Sequence, residues 1–379
     1  MVYFHYHGDS ATKPFFEMAT LTDKILFFPT VGLILANTTL AAVTGPFRGK
    51  EGAPTYFEHV INTLVRSVLS YCRIEQLQWI LPSFVETYKS WCKSNNVPTD
   101  IVDIPNTTTQ GFWLGPKSTA KYTMVYFHGG GYMAPGSSQH IDLAMRMIRW
   151  SDNNLAVFMV AYTLAPGGYY PTQISECVEG LRYVLDHPSN PPETTLVGGD
   201  SAGGALAFAV LSHLSHPHPQ SQAVRALPIK GQLKGAVTVA PWSSSDHTKY
   251  PSMNKYANRD TVNTANAQYW SEAYKGRGKT TMDDPYIYAC LAEPSWWKDV
   301  RCENVLVTAG AEEGLSDAVS DLVKKYEEGA GKDKIEYVIG ERETHVAPLL
   351  GMGEKKLEEV RKSKQEGGIR LWIKDRLIV

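Results

Sequence analysis

The sequence predicts an α/β fold, with a mostly parallel central sheet flanked by helices and a helical cap. Three observations carry this. Strand-like and helix-like segments alternate from Tyr122 onward. A short apolar strand turns directly into an apolar helix through Gly198-Gly199-Asp200-Ser201-Ala202-Gly203-Gly204. An all-helical stretch precedes the first convincing strand. Strands separated by helices call for parallel pairing, with both faces of the sheet covered.

The elements follow in order. Ile25 to Val43 is uncharged and about the length that spans a bilayer, diluted by Pro29, Gly32, Asn37 and three threonines. It reads either as a helix packed over a site or as a membrane anchor. From Tyr56 to Trp91 the pattern is helical, with Val60, Leu64, Val68 and Tyr71 on one face and a second segment, Gln76–Trp91, around Pro82. Residues 1–95 therefore form a helical lead or cap, and 96–379 the main domain. Its sheet begins near Asp100–Ile104 and Gly111–Leu114. Strands are expected at Tyr122–Phe127, Leu155–Ala161, Glu193–Val197 and Gly235–Ala240, with helices at His140–Trp150, Ile174–Leu185 and Ala205–Leu211. Between Pro241 and Pro294 the alternation fails. That polar, aromatic-rich insertion, about 241–294, is expected to join the N-terminal helices as the cap. Strand Asn304–Thr308, helix Ser316–Glu328, strand Ile335–Ile339 and a helical end, Lys355–Leu377, interrupted by Gly367-Gly368, complete the chain.

Of the 379 residues, 43% are hydrophobic and 20% charged, which suits a globular protein with a sizeable core. A net charge of −2 gives no argument for a nucleic-acid partner. The five cysteines are scattered without C-x-x-C spacing, so reduced thiols are expected. His213, His216 and His218, interleaved with Pro217 and Pro219, read as a solvated loop after a helix rather than a metal site. Asn37 and Asn106 head glycosylation sequons, which matter only in a secreted chain. Met1–Ser10 lacks the basic-then-apolar pattern of a cleavable leader. The expected location is cytoplasmic; the alternative is attachment to the endoplasmic reticulum membrane through residues 25–43.

Gly199-x-Ser201-x-Gly203 between a strand and a helix forces its serine into a strained backbone and presents the hydroxyl at a helix N-terminus. Such a hydroxyl is a weak nucleophile until a base takes its proton and a third group orients that base. In α/β-hydrolases the acid and then the histidine follow the serine along the chain. His345 meets that order, in a loop just past the Ile335–Ile339 strand, at the edge where sites of such sheets assemble. Three carboxylates, Glu312, Glu313 and Asp317, follow the Asn304–Thr308 strand and compete for the acid. By position alone two are expected to be solvated, with Asp317 in the first turn of the next helix. His128-Gly129-Gly130-Gly131 follows the Tyr122–Phe127 strand and suits an oxyanion hole, complemented by the Ala202 N–H.

These paired motifs resemble the hormone-sensitive-lipase branch of α/β-hydrolases, as does Tyr162-Thr163-Leu164-Ala165-Pro166 followed by Pro171. The chain is most similar to the fungal steryl-acetyl-hydrolase-like group, through Thr308-Ala309-Gly310-Ala311-Glu312-Glu313, His345-Val346-Ala347-Pro348 and the lead-in from Gln76 to Trp91. The resemblance implies a serine carboxylic ester hydrolase with Ser201, Glu313 and His345 as triad. It implies an oxyanion hole of Gly130, Gly131 and Ala202, with Gly129 shaping the loop and His128 structural. It implies no metal or organic cofactor, and a hydrophobic small-molecule ester as substrate. Some members of the group cleave sterol acetates at a membrane; others deacylate fungal secondary metabolites. Gly167-Gly168-Tyr169 departs from the pattern, where a charged residue is usual, and implies a differently shaped pocket. The same machinery would serve a lactone or amide hydrolase, or a cyclase. A receptor similar to the gibberellin receptor would be expected to lack His345.

Overall fold

The computed structural model describes residues 19–49, 52–280, 282–350 and 363–378. An eight-stranded sheet runs in the order β1-β2-β4-β3-β5-β6-β7-β8. Its strands are β1 (Ile101–Asp103), β2 (Gln110–Leu114), β3 (Tyr122–Phe127), β4 (Leu155–Ala161), β5 (Thr195–Asp200), β6 (Gly235–Val239), β7 (Val305–Gly310) and β8 (Ile335–Gly340). Only β1 with β2 and β2 with β4 pair antiparallel; all other neighbours are parallel. The expected mostly parallel sheet is present.

Alternate residues of one strand feed opposite faces, as the pleat demands. In β3, Val125 and Phe127 join the core under α6 (Thr172–Leu185) and α7 (Ala202–Ser215), while Met124 and Tyr126 join the other core. That second core is closed by α5 (Ser138–Trp150), α4 (Phe84–Asn95) and the C-terminal helix Lys364–Leu377. α4 thus lies on the sheet: Tyr88 stacks on Phe112 at 4.0 Å and its hydroxyl donates to the Trp113 carbonyl.

Among the described residues three α-helices precede α4. They are α1 (Leu21–Thr44), α2 (Tyr56–Tyr71) and α3 (Ile74–Ile80). Thr20 with Asp23, Thr55 with Glu58 and Ser83 with Glu86 form capping boxes that start α1, α2 and α4. The single segment expected over Gln76–Trp91 is two helices, because Pro82 and the Ser83 cap stop one and start the next. α2 touches the irregular insertion directly: Asn62 donates to the Arg259 carbonyl, Arg66 to the Asp260 carbonyl and Asn263 to Ser70. Within that insertion lie α8 (Ser252–Lys255) and α9 (Thr264–Tyr274).

Most element ends shift by a few residues from expectation, and two differences have a clear structural cause. The β5 strand begins at Thr195, not Glu193, and continues through both glycines to Asp200, because β3 and β6 pair with it on both sides. The C-terminal helix runs through Gly367 and Gly368 without a break. A Cβ on Gly368 would come within 2.8 Å of Val338, so that glycine lets the helix approach β8. The expected start of this helix, Lys355, and the opening residues Met1–Ser10 lie outside the described residues.

Candidate active site

Ser201 sits between β5 and α7 with φ 51° and ψ −118°, a region costly for a residue with a Cβ. The turn is possible because Gly199 and Gly203, two positions away on either side, have none. A Cβ on Gly199 would meet the Gly203 carbonyl at 2.3 Å, and one on Gly203 would meet the Phe127 carbonyl at 2.0 Å. The serine backbone is pinned on both sides: its N–H donates to Val239 and its carbonyl accepts from Trp242.

The structure brings Ser201, His345 and Glu313 together. Ser201 Oγ is 2.8 Å from His345 Nε2. His345 Nδ1 faces Glu313 Oε1 at 3.5 Å, an ion-pair distance longer than a normal hydrogen bond. Such contacts are commonly loose before substrate binds. Glu313 is fully buried, and its other oxygen accepts the Gly310 N–H at 2.8 Å. Burial alone would lower the His345 pKa, but Glu313, with Asp260 and Asp200 beyond it, raises it above the usual value.

The competing carboxylates go elsewhere. Asp317 accepts the Ser252 N–H at 2.8 Å from the first turn of α10 (Ser316–Ala330). Glu312, expected to be solvated, instead pairs with Arg259 at 2.5 Å and is largely covered. The folding of the insertion beside β7 supplies that partner, which position along the chain did not reveal.

Gly130 and Gly131 carry φ values of 110° and 61°, and so turn the loop beyond β3. The Ala202 N–H lies in the first turn of α7, where it has no intrahelical partner. The Gly129 N–H is committed to Asp200 Oδ1 at 3.0 Å, leaving Gly129 to shape the loop rather than donate. Burial and nearby His140 push the His128 pKa down to about 3, so its ring is neutral. Its Nδ1 donates to the Gly129 carbonyl at 2.7 Å, and the ring stacks on Tyr162. The insertion completes the wall. Trp270 of α9 lies so close to Gly131 that a Cβ there would be 2.2 Å from its ring, and Tyr132 stacks on Tyr274 at 3.7 Å.

His213 and His218, expected in a solvated loop, are buried. His213, in the last turn of α7, contacts the Arg225 carbonyl, and His218 contacts the Tyr170 hydroxyl and the ring of Tyr286, where the loop packs against the insertion. Among the described residues no grouping of three His, Cys, Asp or Glu side chains is placed to hold a metal. The five cysteines are all unpaired and buried. Sequence reasoning missed Asp200 and Asp260. Asp200 had a signal, being the one charge inside a motif of small residues; Asp260 had none.

A family model described as alpha/beta hydrolase fold matches residues 124–349. An acetyl-hydrolase of Streptomyces hygroscopicus is 27% identical over 222 residues, 58% of this chain and 66% of that protein. Neutral cholesterol ester hydrolase 1 of Pongo abelii is 25% identical over 269 residues, 68% of this chain and 61% of that protein. The chain thus spans less than two thirds of the length of these curated relatives. Among solved structures, an esterase from the bacterial hormone-sensitive lipase family superposes with a TM-score of 0.65 at 19% identity, covering 86% of this chain and 99% of that one. Fungal esterases from Rhizomucor miehei give a TM-score of 0.61 at 18% identity, with 78% and 90% covered.

Proposed function

Because the chain belongs to the alpha/beta hydrolase fold family, we propose that it is a serine carboxylic ester hydrolase that removes a short acyl group, acetyl above all, from a hydrophobic alcohol. Ser201 Oγ attacks the carbonyl while His345 Nε2 takes its proton, later returned to the leaving alcohol. Glu313 orients the imidazole and stabilises the imidazolium. The amides of Gly130, Gly131 and Ala202 receive the negative charge that develops on the carbonyl oxygen. A water activated by His345 then releases the acid and frees Ser201. The scheme uses no metal or organic cofactor.

One observation carries the reading: a serine in a strained turn, with φ 51°, whose hydroxyl lies 2.8 Å from a buried histidine. The aromatic wall of Tyr132, Trp242, Trp270 and Tyr274 supports a hydrophobic alcohol such as a sterol or a fungal secondary metabolite. The relatives named as acetyl-hydrolase and cholesterol ester hydrolase support the acyl and alcohol classes. In this reading the lead before residue 95 and the insertion 241–294 act together as the cap. A serine-directed phosphonate is expected to label Ser201 in the intact protein, and acyl esters of increasing length to be cleaved by the wild type but not by Ser201→Ala. Labelling elsewhere, with activity retained in Ser201→Ala, would overturn the assignment.

The same proposal covers α1. It packs on the cap through Ile34 and Ala41, while Leu33, Leu35, Leu40 and Val43 are each more than half exposed. A long helix with one face on the protein and an apolar face outward suits a lipid surface. In this reading the chain is held against a membrane such as that of the endoplasmic reticulum, with α1 serving both the cap and the attachment.

A further inference from the structure

We propose that Asp260, supplied by the cap insertion, is a positioning residue for the reaction: its ionised carboxylate holds the loops carrying Glu313 and His345 in register and ties them to α2. The proposal rests on the esterase reading above. Asp260 is fully buried. Its Oδ1 accepts the His345 N–H at 2.9 Å and the Thr261 N–H at 2.8 Å, and its Oδ2 accepts the Gly314 N–H at 2.7 Å. Two of those donors are the base itself and the residue next to the acid. No other side chain in the insertion reaches both loops among the hydrogen bonds of the described residues.

The backbone of Asp260 is itself anchored. Its carbonyl accepts from Arg66 of α2 at 2.7 Å, and its N–H donates to Tyr256. The adjoining residues reinforce the clamp: Arg259 pairs with Glu312, and Asn62 of α2 bridges the Arg259 carbonyl and the Thr344 hydroxyl. Arg259 and Asp260, with Asn62 of α2, thus grip Glu312 and Gly314 on one side and Thr344 and His345 on the other. Three N–H donors use both oxygens in the ionised form, and a buried polar group so satisfied holds its partners at fixed geometry. Burial and the nearby Glu313 push its pKa up, His345 and the two loop amides pull it down, and the balance is about 6. At neutral pH the carboxylate is therefore charged.

The consequence is twofold. The register of the Glu313–His345–Ser201 line depends on the cap being seated, since misplacement by about 1 Å can cost on the order of 10²-fold in rate. A second negative charge also faces the imidazole, raising its pKa together with Glu313 and Asp200. The charged groups facing Asp260 are His345, Glu313 and the Arg66 guanidinium.

Asp260→Asn in the full chain tests this, because an amide can accept only through one oxygen and sets an NH₂ against a backbone donor. With p-nitrophenyl acetate, kcat is expected to fall about 10²-fold with KM within about threefold. The acid limb of kcat/KM is expected to move to lower pH, because a charge that raised the His345 pKa is gone. Mere loss of folded protein would lower kcat without moving that limb. Arg66→Met, which frees the Asp260 carbonyl but keeps the carboxylate, provides the second variant; its kcat is expected to fall about 5–10-fold with KM unchanged, as the clamp loosens without breaking. Wild-type kcat in folded Arg66→Met, or in Asp260→Asn with an unmoved acid limb, overturns the proposal. The underlying esterase reading fails separately, if wild-type protein neither cleaves the ester nor takes phosphonate at Ser201.

Discussion

The carboxylate of Asp200 accepts the Gly129 N–H at 3.0 Å, so the residue preceding the proposed nucleophile holds the loop of the proposed oxyanion hole. The same oxygen accepts the Tyr126 hydroxyl at 3.0 Å, and the other faces His140 Nε2 at 3.3 Å. Nucleophile and oxyanion loop are thus joined through one buried charge. Asp200→Ala would leave the Gly129 and Tyr126 donors buried without partners, at about 1–3 kcal/mol each. We expect a clear loss of stability in denaturant melts, and turnover reduced by about 10²-fold in the protein that remains folded.

Glu313→Gln keeps the shape of the acid but removes its charge and favours the wrong imidazole tautomer. Turnover is expected to fall by about 10³–10⁴-fold, as in acid-to-amide changes in other triads. Glu312→Gln should act on stability instead, by about 1–3 kcal/mol, because it weakens a largely covered pair with Arg259. Asp317→Asn should cost only about 0.3–1 kcal/mol at the start of α10. If Asp317→Asn abolishes turnover while folded Glu313→Gln keeps it, the acid has been misassigned.

The pH profile of kcat/KM should report His345, which must be neutral to take the serine proton. Its pKa is raised, so the acid limb should lie above the midpoint of a free imidazole. Activity is lost as pH falls through that raised value. Glu313→Gln should carry the limb downward, and an unmoved limb would count against Glu313 as its partner.

His128 has the opposite sign. Its folded pKa is about 3 against an ordinary value of 6.5, so the unfolded chain binds the proton that the folded chain refuses. Its contribution is complete above about pH 6.5 and is lost as pH falls towards 3, by an amount on the order of 5 kcal/mol. Urea titrations across that window should show the fall, and His128→Asn should flatten it.

Trp270 closes the space beside Gly131. Replacing it with leucine should shift preference towards longer acyl chains, at a stability cost of about 1–3 kcal/mol. An unchanged ranking over an ester panel would remove Trp270 from the acyl pocket.

The exposed side of α1 is testable without disturbing its buried face. Leu33 and Leu40 are 58% and 60% exposed. Changing both to glutamate should release the protein from phosphatidylcholine vesicles in flotation while esterase activity in detergent is retained. If the wild type does not float, the attachment is wrong.

How far the sequence could be read follows from the range of each constraint. The strained turn at Ser201 needs small residues within two positions, so it leaves its mark in adjacent letters. The helix through Gly367 and Gly368 shows the converse. A glycine pair looks like a break locally, whereas the need for closeness comes from Val338, an element away. The extension of β5 to Asp200 likewise required the two strands that pair with it.

By itself, then, the sequence determined the alternation of strands and helices, the turn at Ser201, the glycine loop after β3 and the position of His345 past the last strand. All of these follow from periodicity and from steric limits on neighbouring residues. Only the tertiary structure decided which carboxylate lies against His345, that Glu312 is paired, and that Asp260 grips both loops. Asp260 meets Gly314 across 54 positions and His345 across 85. Contacts at that separation are fixed by how an irregular insertion packs, and no local pattern records them.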